Sequence, residues 1–357
     1  MDGYHLTKTG RLLGGTVAAG ALLFSACVSG AAADPAGPPT SASDAVARLM
    51  DLSHQSEQLN QQALAVQEDL NAKQAAADAA DAKEAQTKQA ADVAQADVAQ
   101  RQPAFDRAVI AAYEGTHKDP MFSLMVSRSP QQMLDQMSTL NMLSTQAANR
   151  IGVYKKADDA ADVAESAAKK AADAAHAAAD AVAATQADLE RRRADLQGSM
   201  AQVIEAWGQL SRGDQDSLSG ALFPPGFDRE TLLSGLVPGS GTSALAAALT
   251  RVGDPYVWGA TGPDQFDCSG LVQWAFHHVG INLPRTSQQQ ATVGMPVDRD
   301  SLQPGDVVFF YSDASHVGIY AGNGMLLHAS TFGVPVQVAP MGSTPFYGAR
   351  RYRLGMQ

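Results

Sequence analysis

Between Leu49 and Leu70, apolar or small residues recur in alternating steps of three and four: Leu49, Leu52, Ser56, Leu59, Ala63, Val66 and Leu70. That spacing keeps one stripe of a helix facing a partner helix, and is the seam of a coiled coil. It continues through an alanine-rich tract to about Gln102, where Pro103 is expected to kink or break the helix because it lacks the amide hydrogen. A second long helix is predicted from about Thr145 to Leu210, with its seam clearest at Leu189, Leu196, Met200, Val203, Trp207 and Leu210. Two helices of about sixty residues with matching seams imply an antiparallel hairpin, a rod of roughly 90 Å. Alanine at many seam positions allows close approach but buries little area per turn. Residues 104–143 between them are Met-rich and apolar, and Gly115 and Pro120 are expected to divide them into short helices. Ser129-Pro130 reads as a helix start. This tip either packs a small core of its own or offers an adaptable surface to a partner. Residues 44–212 are thus expected to form an all-α antiparallel coiled-coil hairpin with a helical tip at about 104–143.

Residues 1–33 read as an export signal. Lys8 and Arg11 supply positive charge, Leu12 to Ala26 is apolar but short for a span, and Ala31-Ala32-Ala33 offers a cleavage site ahead of Asp34-Pro35. Phe24-Ser25-Ala26-Cys27 offers a second reading, a lipoprotein box. A flexible leader, 34–43, follows, and no later stretch is apolar enough to span a bilayer. The expected location is outside the membrane, in the periplasm or cell wall. The net charge of −11 provides no basic face for nucleic acid. The chain has two cysteines, Cys27 and Cys268. Cleavage or lipidation of the first leaves one unpaired thiol in an oxidising compartment, either as a buried small hydrophobe or as a nucleophile.

The surroundings of Cys268 bear on that choice. Residues 213–242 form a Gly/Pro/Ser-rich linker with scattered Leu and Phe, and 243–357 has the composition of a compact α+β domain. Ser243 to Val252 is a predicted helix; a second starts at Asp267-Cys268 and runs through Leu271, Val272, Ala275, Phe276 and Val279 to Gly280. Cys268 is therefore placed in the first turn of a helix, with Asp267 or a neighbour as cap. The partial positive charge and free N–H groups there favour a thiolate and suit an oxyanion. Strands are expected at 306–311, 316–320, 325–330, 334–339 and 346–352, with a hairpin turn at Ala321-Gly322-Asn323-Gly324. A three-residue loop would set His316 directly opposite His328; a two-residue loop would shift the register and leave them close. Val317 and Ile319 alternate away from His316, so His316 can face a cleft, where thiolate chemistry needs a general base. His277 and His278 read as solvent-side or packing residues. One Cys and two His without a fourth ligand or metal-type spacing give no zinc site, so no metal or organic cofactor is expected.

Six motifs occur in order: Pro255-Tyr256-Val257-Trp258-Gly259, Phe266-Asp267-Cys268-Ser269-Gly270-Leu271-Val272, Leu283-Pro284-Arg285-Thr286-Ser287, Leu302-Gln303-Pro304-Gly305-Asp306, His316-Val317-Gly318-Ile319-Tyr320 and Leu327-His328-Ala329. Over about 244–352 the chain closely resembles the NlpC/p60 family of cell-wall peptidases, which has a papain-like α+β fold. The resemblance implies Cys268 as nucleophile, His316 as base and His328 as the polar residue orienting the imidazole. It also implies Tyr256 beside the nucleophile, with Asp267, Ser269 and Arg285 lining the substrate cleft; Trp258 is read as a packing residue. The implied reaction is D,L-endopeptidase cleavage of the γ-D-glutamyl-diaminopimelate bond of peptidoglycan stems. The pairing with a coiled-coil hairpin resembles actinobacterial division hydrolases of the RipC type, whose hairpins dock on an FtsEX-type transporter. The linker and hairpin are expected to cover the cleft until a partner binds. The alternative is a non-catalytic wall-binding adaptor that activates another hydrolase.

Overall fold

The computed structural model describes residues 41–117, 129–342 and 344–355. The export signal, Cys27, most of the leader and tip residues 118–128 lie outside the described residues.

Two long helices pair along their length: α1, Ala42–His117, and α2, Pro130–Gln209. The seam is built largely of alanine, with Ala63, Ala77 and Ala91 of α1 and Ala157, Ala161 and Ala175 of α2 all buried. Helix α1 runs on through Pro103 instead of breaking there. A proline costs a helix about 3 kcal/mol, which the long seam on either side can absorb. Helix α2 begins fifteen residues earlier than expected, at Pro130, because Ser129 caps it and accepts the N–H of Gln132 at 3.3 Å. The described parts of the Met-rich segment, 104–117 and 130–143, are continuous with the two long helices, and Met133, Leu134, Met137 and Met142 are exposed.

Three short helices, α3 (Arg212–Ser219), α4 (Arg229–Gly235) and α5 (Ser240–Leu249), lead into the C-terminal α+β region. There α6, Cys268–His277, and α7, Ser287–Gln290, accompany a six-stranded sheet. The strands are β1 (Met295–Val297), β2 (Val307–Phe310), β3 (His316–Gly322), β4 (Met325–His328), β5 (Gln337–Pro340) and β6 (Phe346–Arg351), in spatial order β1-β6-β2-β3-β4-β5 with every pairing antiparallel. The short edge strand β1 carried no alternating pattern that would have marked it. The core lies between the sheet and helices α5 and α6, where Leu245, Leu249, Leu271, Phe276, Ile319 and Leu327 are almost fully enclosed.

The β3–β4 turn is the tight one. Asn323 and Gly324 both take positive φ, 52° and 72°, as a two-residue primed turn requires. Ile319 therefore pairs with Leu327, and a bulge separates Tyr320 from Gly322. His316 is thus not set directly opposite His328, yet the two imidazoles still meet. The linker's Phe223, Phe227, Leu232, Leu233 and Leu236 pack against the core of this region. Among the described residues, no helix is long and apolar enough to cross a membrane.

Candidate active site

Cys268 is the first residue of α6. Asp267 caps that helix, accepting the N–H of Gly270 on Oδ1 at 2.6 Å. The free amides of the first turn thus gather around the thiol. Asp267 is itself fully buried and forms a bidentate pair with Arg285, whose Nη2 lies 2.5 Å from Oδ2 and Nη1 3.1 Å from Oδ1. Nη1 also donates to Ser269 Oγ at 2.8 Å. Burial works against the Arg285 charge, but the paired carboxylate more than offsets it and raises the guanidinium pKa. Asp267 therefore fixes Arg285 and the helix end.

The sheet delivers the imidazoles. Cys268 Sγ lies 4.0 Å from the carbonyl of Ser315 and is hydrogen-bonded by the N–H of Val317, so the thiol rests on the backbone flanking His316. His316 Nε2 meets His328 Nδ1 at 2.9 Å. Enclosure, together with the positive character of His328 and His54, pushes the His316 pKa well below the usual value; burial lowers His328 to about 4. Both rings are therefore neutral at pH 7, and one donates its proton to the other. Trp258 packs on Tyr256 edge-on and stacks on Phe332, a packing role. His277, the last residue of α6, and His278, its C-cap, are exposed. Among the described residues no group of His, Cys, Asp and Glu is gathered as a metal site.

Part of the hairpin lies over the thiol. Helix α1 crosses the cleft, and the side chains at 57, 60 and 61, on the face beside the coiled-coil seam, enter it. Glu57 Oε1 accepts the Cys268 thiol at 3.1 Å and Gln61 Nε2 at 2.6 Å, while Oε2 accepts the Tyr256 hydroxyl. Asn60 Nδ2 donates to Asp267 Oδ2 at 3.2 Å. Gln61 Nε2 also donates to Ser269 Oγ at 3.1 Å, and its Oε1 accepts the N–H of Ser287 at 2.8 Å. Around them, Thr331 Oγ1 donates to Ser53 Oγ at 2.7 Å, and Leu49, Val203, Ala206 and Leu210 of the hairpin pack with Trp258 and Phe332. Cys268 is consequently sealed, with 0 % exposure. The seal is a separate helix, not the fold of the domain that carries the thiol.

This plug sets the protonation state. Burial first, then the charges of Glu57 and Asp267, pushes the Cys268 thiol well above its usual pKa. Burial, with Asp267 adding to it, raises Glu57 to about 7. Burial and Glu57 likewise raise Tyr256. A thiol held up and an imidazole held down cannot form the thiolate–imidazolium pair that cysteine catalysis uses. No sequence signal marked Glu57, Asn60 or Gln61; polar residues beside a coiled-coil seam ordinarily face water.

Residues 253–350 match the NlpC/P60 family. A probable endopeptidase of Mycobacterium tuberculosis is 38 % identical over 346 residues, covering 87 % of this chain and 90 % of that protein. The chain belongs to the NlpC/P60 family. It is a cysteine peptidase, a probable peptidoglycan endopeptidase, which sets aside the non-catalytic adaptor. A probable endopeptidase of Corynebacterium glutamicum is 50 % identical over 113 residues, 32 % of this chain and 54 % of that one. The peptidoglycan hydrolase RipB of Mycobacterium tuberculosis aligns in structure at 30 % identity with a TM-score of 0.30, covering 35 % of this chain and 68 % of that one.

Proposed function

We propose that the chain is an exported D,L-endopeptidase that cleaves the bond between D-glutamate, through its γ-carboxyl, and diaminopimelate in peptidoglycan stems, and that the α1 plug holds it inactive until it is displaced. The observation that carries the reading is Cys268 at the α6 N-terminus, lying on the backbone on either side of His316, whose ring bonds His328, with the thiol donating to Glu57 of α1.

When α1 leaves, water returns and the Glu57 charge departs, so the two shifts that keep the thiol protonated are relieved together. His316 takes the Cys268 proton, and His328, bonded to Nε2, holds the imidazole in place. The thiolate attacks the γ-glutamyl carbonyl, and the N–H groups at the start of α6 receive the oxyanion. His316 returns its proton to the departing amine as the C–N bond breaks, leaving a thioester. A water attacks that thioester, His316 accepts its proton, and the carboxylate product and free thiol are released. The apolar exposed residues near the hairpin tip, Met133, Leu134, Met137 and Met142 among them, suit docking on an FtsEX-type transporter, with a role in daughter-cell separation.

Mass spectrometry of muropeptide digests tests the bond and the nucleophile. Full-length protein carrying Gln61→Trp, a residue too large for a site 1 % exposed, is expected to release fragments cut between D-glutamate and diaminopimelate. Turnover that survives Cys268→Ala in that background would sink the assignment.

A further inference from the structure

Helix α1 lies along the cleft as a ruler. From Gln61 back to His54 it covers about 10 Å. Gln61 occupies the end bordered by Ser269 and Ser287, where Arg285 is paired with Asp267. Glu57 marks the middle, on Cys268 and Tyr256. His54 and Gln58 mark the opposite end, formed by the loop from Tyr311 to Ser315 that immediately precedes His316.

That loop is held stiffly. Tyr311 and Ala314 adopt positive φ, 65° and 53°, which side-chain-bearing residues rarely take. The Tyr311 N–H donates to the carbonyl of Pro345 at 2.8 Å, and the Ser315 N–H donates to Asp313 Oδ1 at 3.2 Å. An aromatic face and a carboxylate are thereby fixed side by side. In the closed chain their occupants come from α1. The His54 ring stacks on Tyr311 with centroids 3.6 Å apart and planes 20° apart, and its Nε2 lies 3.0 Å from Ser315 Oγ. Gln58 Nε2 donates to Asp313 Oδ2 at 2.8 Å.

We propose that Tyr311 and Asp313 form the leaving-group subsite of the cleft and select a diamino acid whose free ammonium sits against the tyrosine face and the Asp313 carboxylate. The inference rests on the γ-D-glutamyl-diaminopimelate reading and adds to it the residues that recognise the departing half. The two ends of the cleft differ in charge. At the Arg285 end the guanidinium is already paired with Asp267, so that end is close to neutral and offers the acyl half hydrogen-bonding groups, Ser269 Oγ and the Ser287 N–H, instead of a carboxylate. The Tyr311 end offers an acceptor and a π face, and once α1 is gone Asp51 and His54 leave with it, so its remaining charge is the Asp313 carboxylate. An ammonium gains from both groups; a carboxylate or neutral side chain gains from neither.

The test uses full-length protein opened by Gln61→Trp and two substrates. One is a muramyl tripeptide whose free amine is that of diaminopimelate; the other is the same compound acetylated on that amine. The opened chain is expected to favour the free amine about fivefold in kcat/KM, the size of a partly exposed charge and cation–π contact. Asp313→Asn should bring that ratio close to one by slowing the ammonium substrate, and Asp313→Glu should restore part of it. An unchanged ratio in Asp313→Asn, or an equal fall on both substrates, overturns the subsite. Mass spectrometry of the products separates the two levels. Failure to cut between D-glutamate and diaminopimelate sinks the bond reading and the subsite with it, whereas cutting there without amine preference sinks the subsite alone.

Discussion

Glu57 makes closure of the plug a titration. On a free helix surface its carboxyl would ionise near the ordinary 4.5; in the closed cleft it is held at about 7, first by burial and then by Asp267. That gap of about 2.5 pH units corresponds to about 3 kcal/mol. A group raised in the closed state favours closure fully below its open-state pKa, and that contribution drains away as pH climbs through the closed-state value. Glu57 therefore favours the plug below about pH 4.5, loses about 1.4 kcal/mol per unit between 4.5 and 7, and contributes no further change above 7. The histidines act in the opposite sense. His54, His316 and His328 are all held below their ordinary value in the closed state, so closure is opposed as pH falls below about 6.5. The Glu57 contribution must be isolated, and Glu57→Gln does so, because it keeps the size and carbonyl that accept the Cys268 thiol and Gln61 while removing the charge. The assay is the rate at which iodoacetamide alkylates Cys268 in full-length protein, followed by peptide mass spectrometry. Dividing the wild-type rate by that of Glu57→Gln cancels the histidines and the intrinsic thiol chemistry. The quotient is expected to rise about tenfold per unit between pH 4.5 and 7, then level off, for a total change on the order of 10². A flat quotient, or one that falls with pH, would refute the argument that the closed cleft raises the Glu57 pKa.

Other substitutions address separate contacts. Arg285→Ala leaves the fully buried Asp267 carboxylate without its ion-pair partner, and should lower stability by about 3–5 kcal/mol, seen as a fall in Tm. His328→Leu in the Gln61→Trp background removes the partner of His316 Nε2; kcat should fall about 10–100-fold with little change in KM, and His328→Asn should recover part of it. At Gly333, φ is 80° and an added Cβ would meet the Trp207 ring at 2.5 Å. Gly333→Ala should therefore loosen the hairpin from the catalytic region and raise the alkylation rate of Cys268 in the full-length chain by about tenfold, while leaving the rate in the Gln61→Trp chain largely unchanged.

How much of this could be read beforehand depends on which forces were local. The heptad seam announces two paired helices because its spacing is a property of each helix alone. The α6 start is legible because Asp267, Cys268 and the apolar run after them fix cap and face within one turn. The meeting of His316 and His328 survives a mistaken turn length, since any short hairpin brings its arms together. Pro103 misleads because its local penalty is outweighed by packing along a helix of 76 residues. A hairpin over the cleft is expected from the sequence, but the residues that plug it are invisible for the opposite reason. Glu57, Asn60 and Gln61 are ordinary solvent-side residues of a coiled coil until another part of the chain, some two hundred residues later, supplies Tyr256, Asp267, Cys268, Ser269 and Ser287 as partners. Only tertiary contact turns them into buried groups.

The same helix that plugs the cleft also reaches the exposed tip, and that continuity has a mechanical meaning. Glu57 and Tyr113 stand on one unbroken α1, about 84 Å apart along its axis. Had Pro103 ended the helix, a force or rotation at the tip would dissipate in a joint; with the helix continuous, it is passed to the segment at 54–61. The two faces of α1 are also held differently. Its seam with α2 is a long stripe of apolar contacts, dominated by alanine but repeated along the whole rod. Its contact with the cleft rests on a few polar side chains, a carboxyl titrating near 7, and a small apolar cluster around Leu49. Hydrogen bonds to the cleft exchange for water when they open, at about 1 kcal/mol each, whereas separating the rod exposes apolar area at every turn. A partner pulling on the tip would therefore lift the hairpin off the thiol as one body before it parted α1 from α2. Cross-linking α1 to α2 near the tip with a disulfide should leave partner-driven activation intact, and cross-linking Ser53 to Thr331, whose hydroxyls touch at 2.7 Å, should abolish it. Activation that failed in the first case and persisted in the second would mean that the hairpin opens from within.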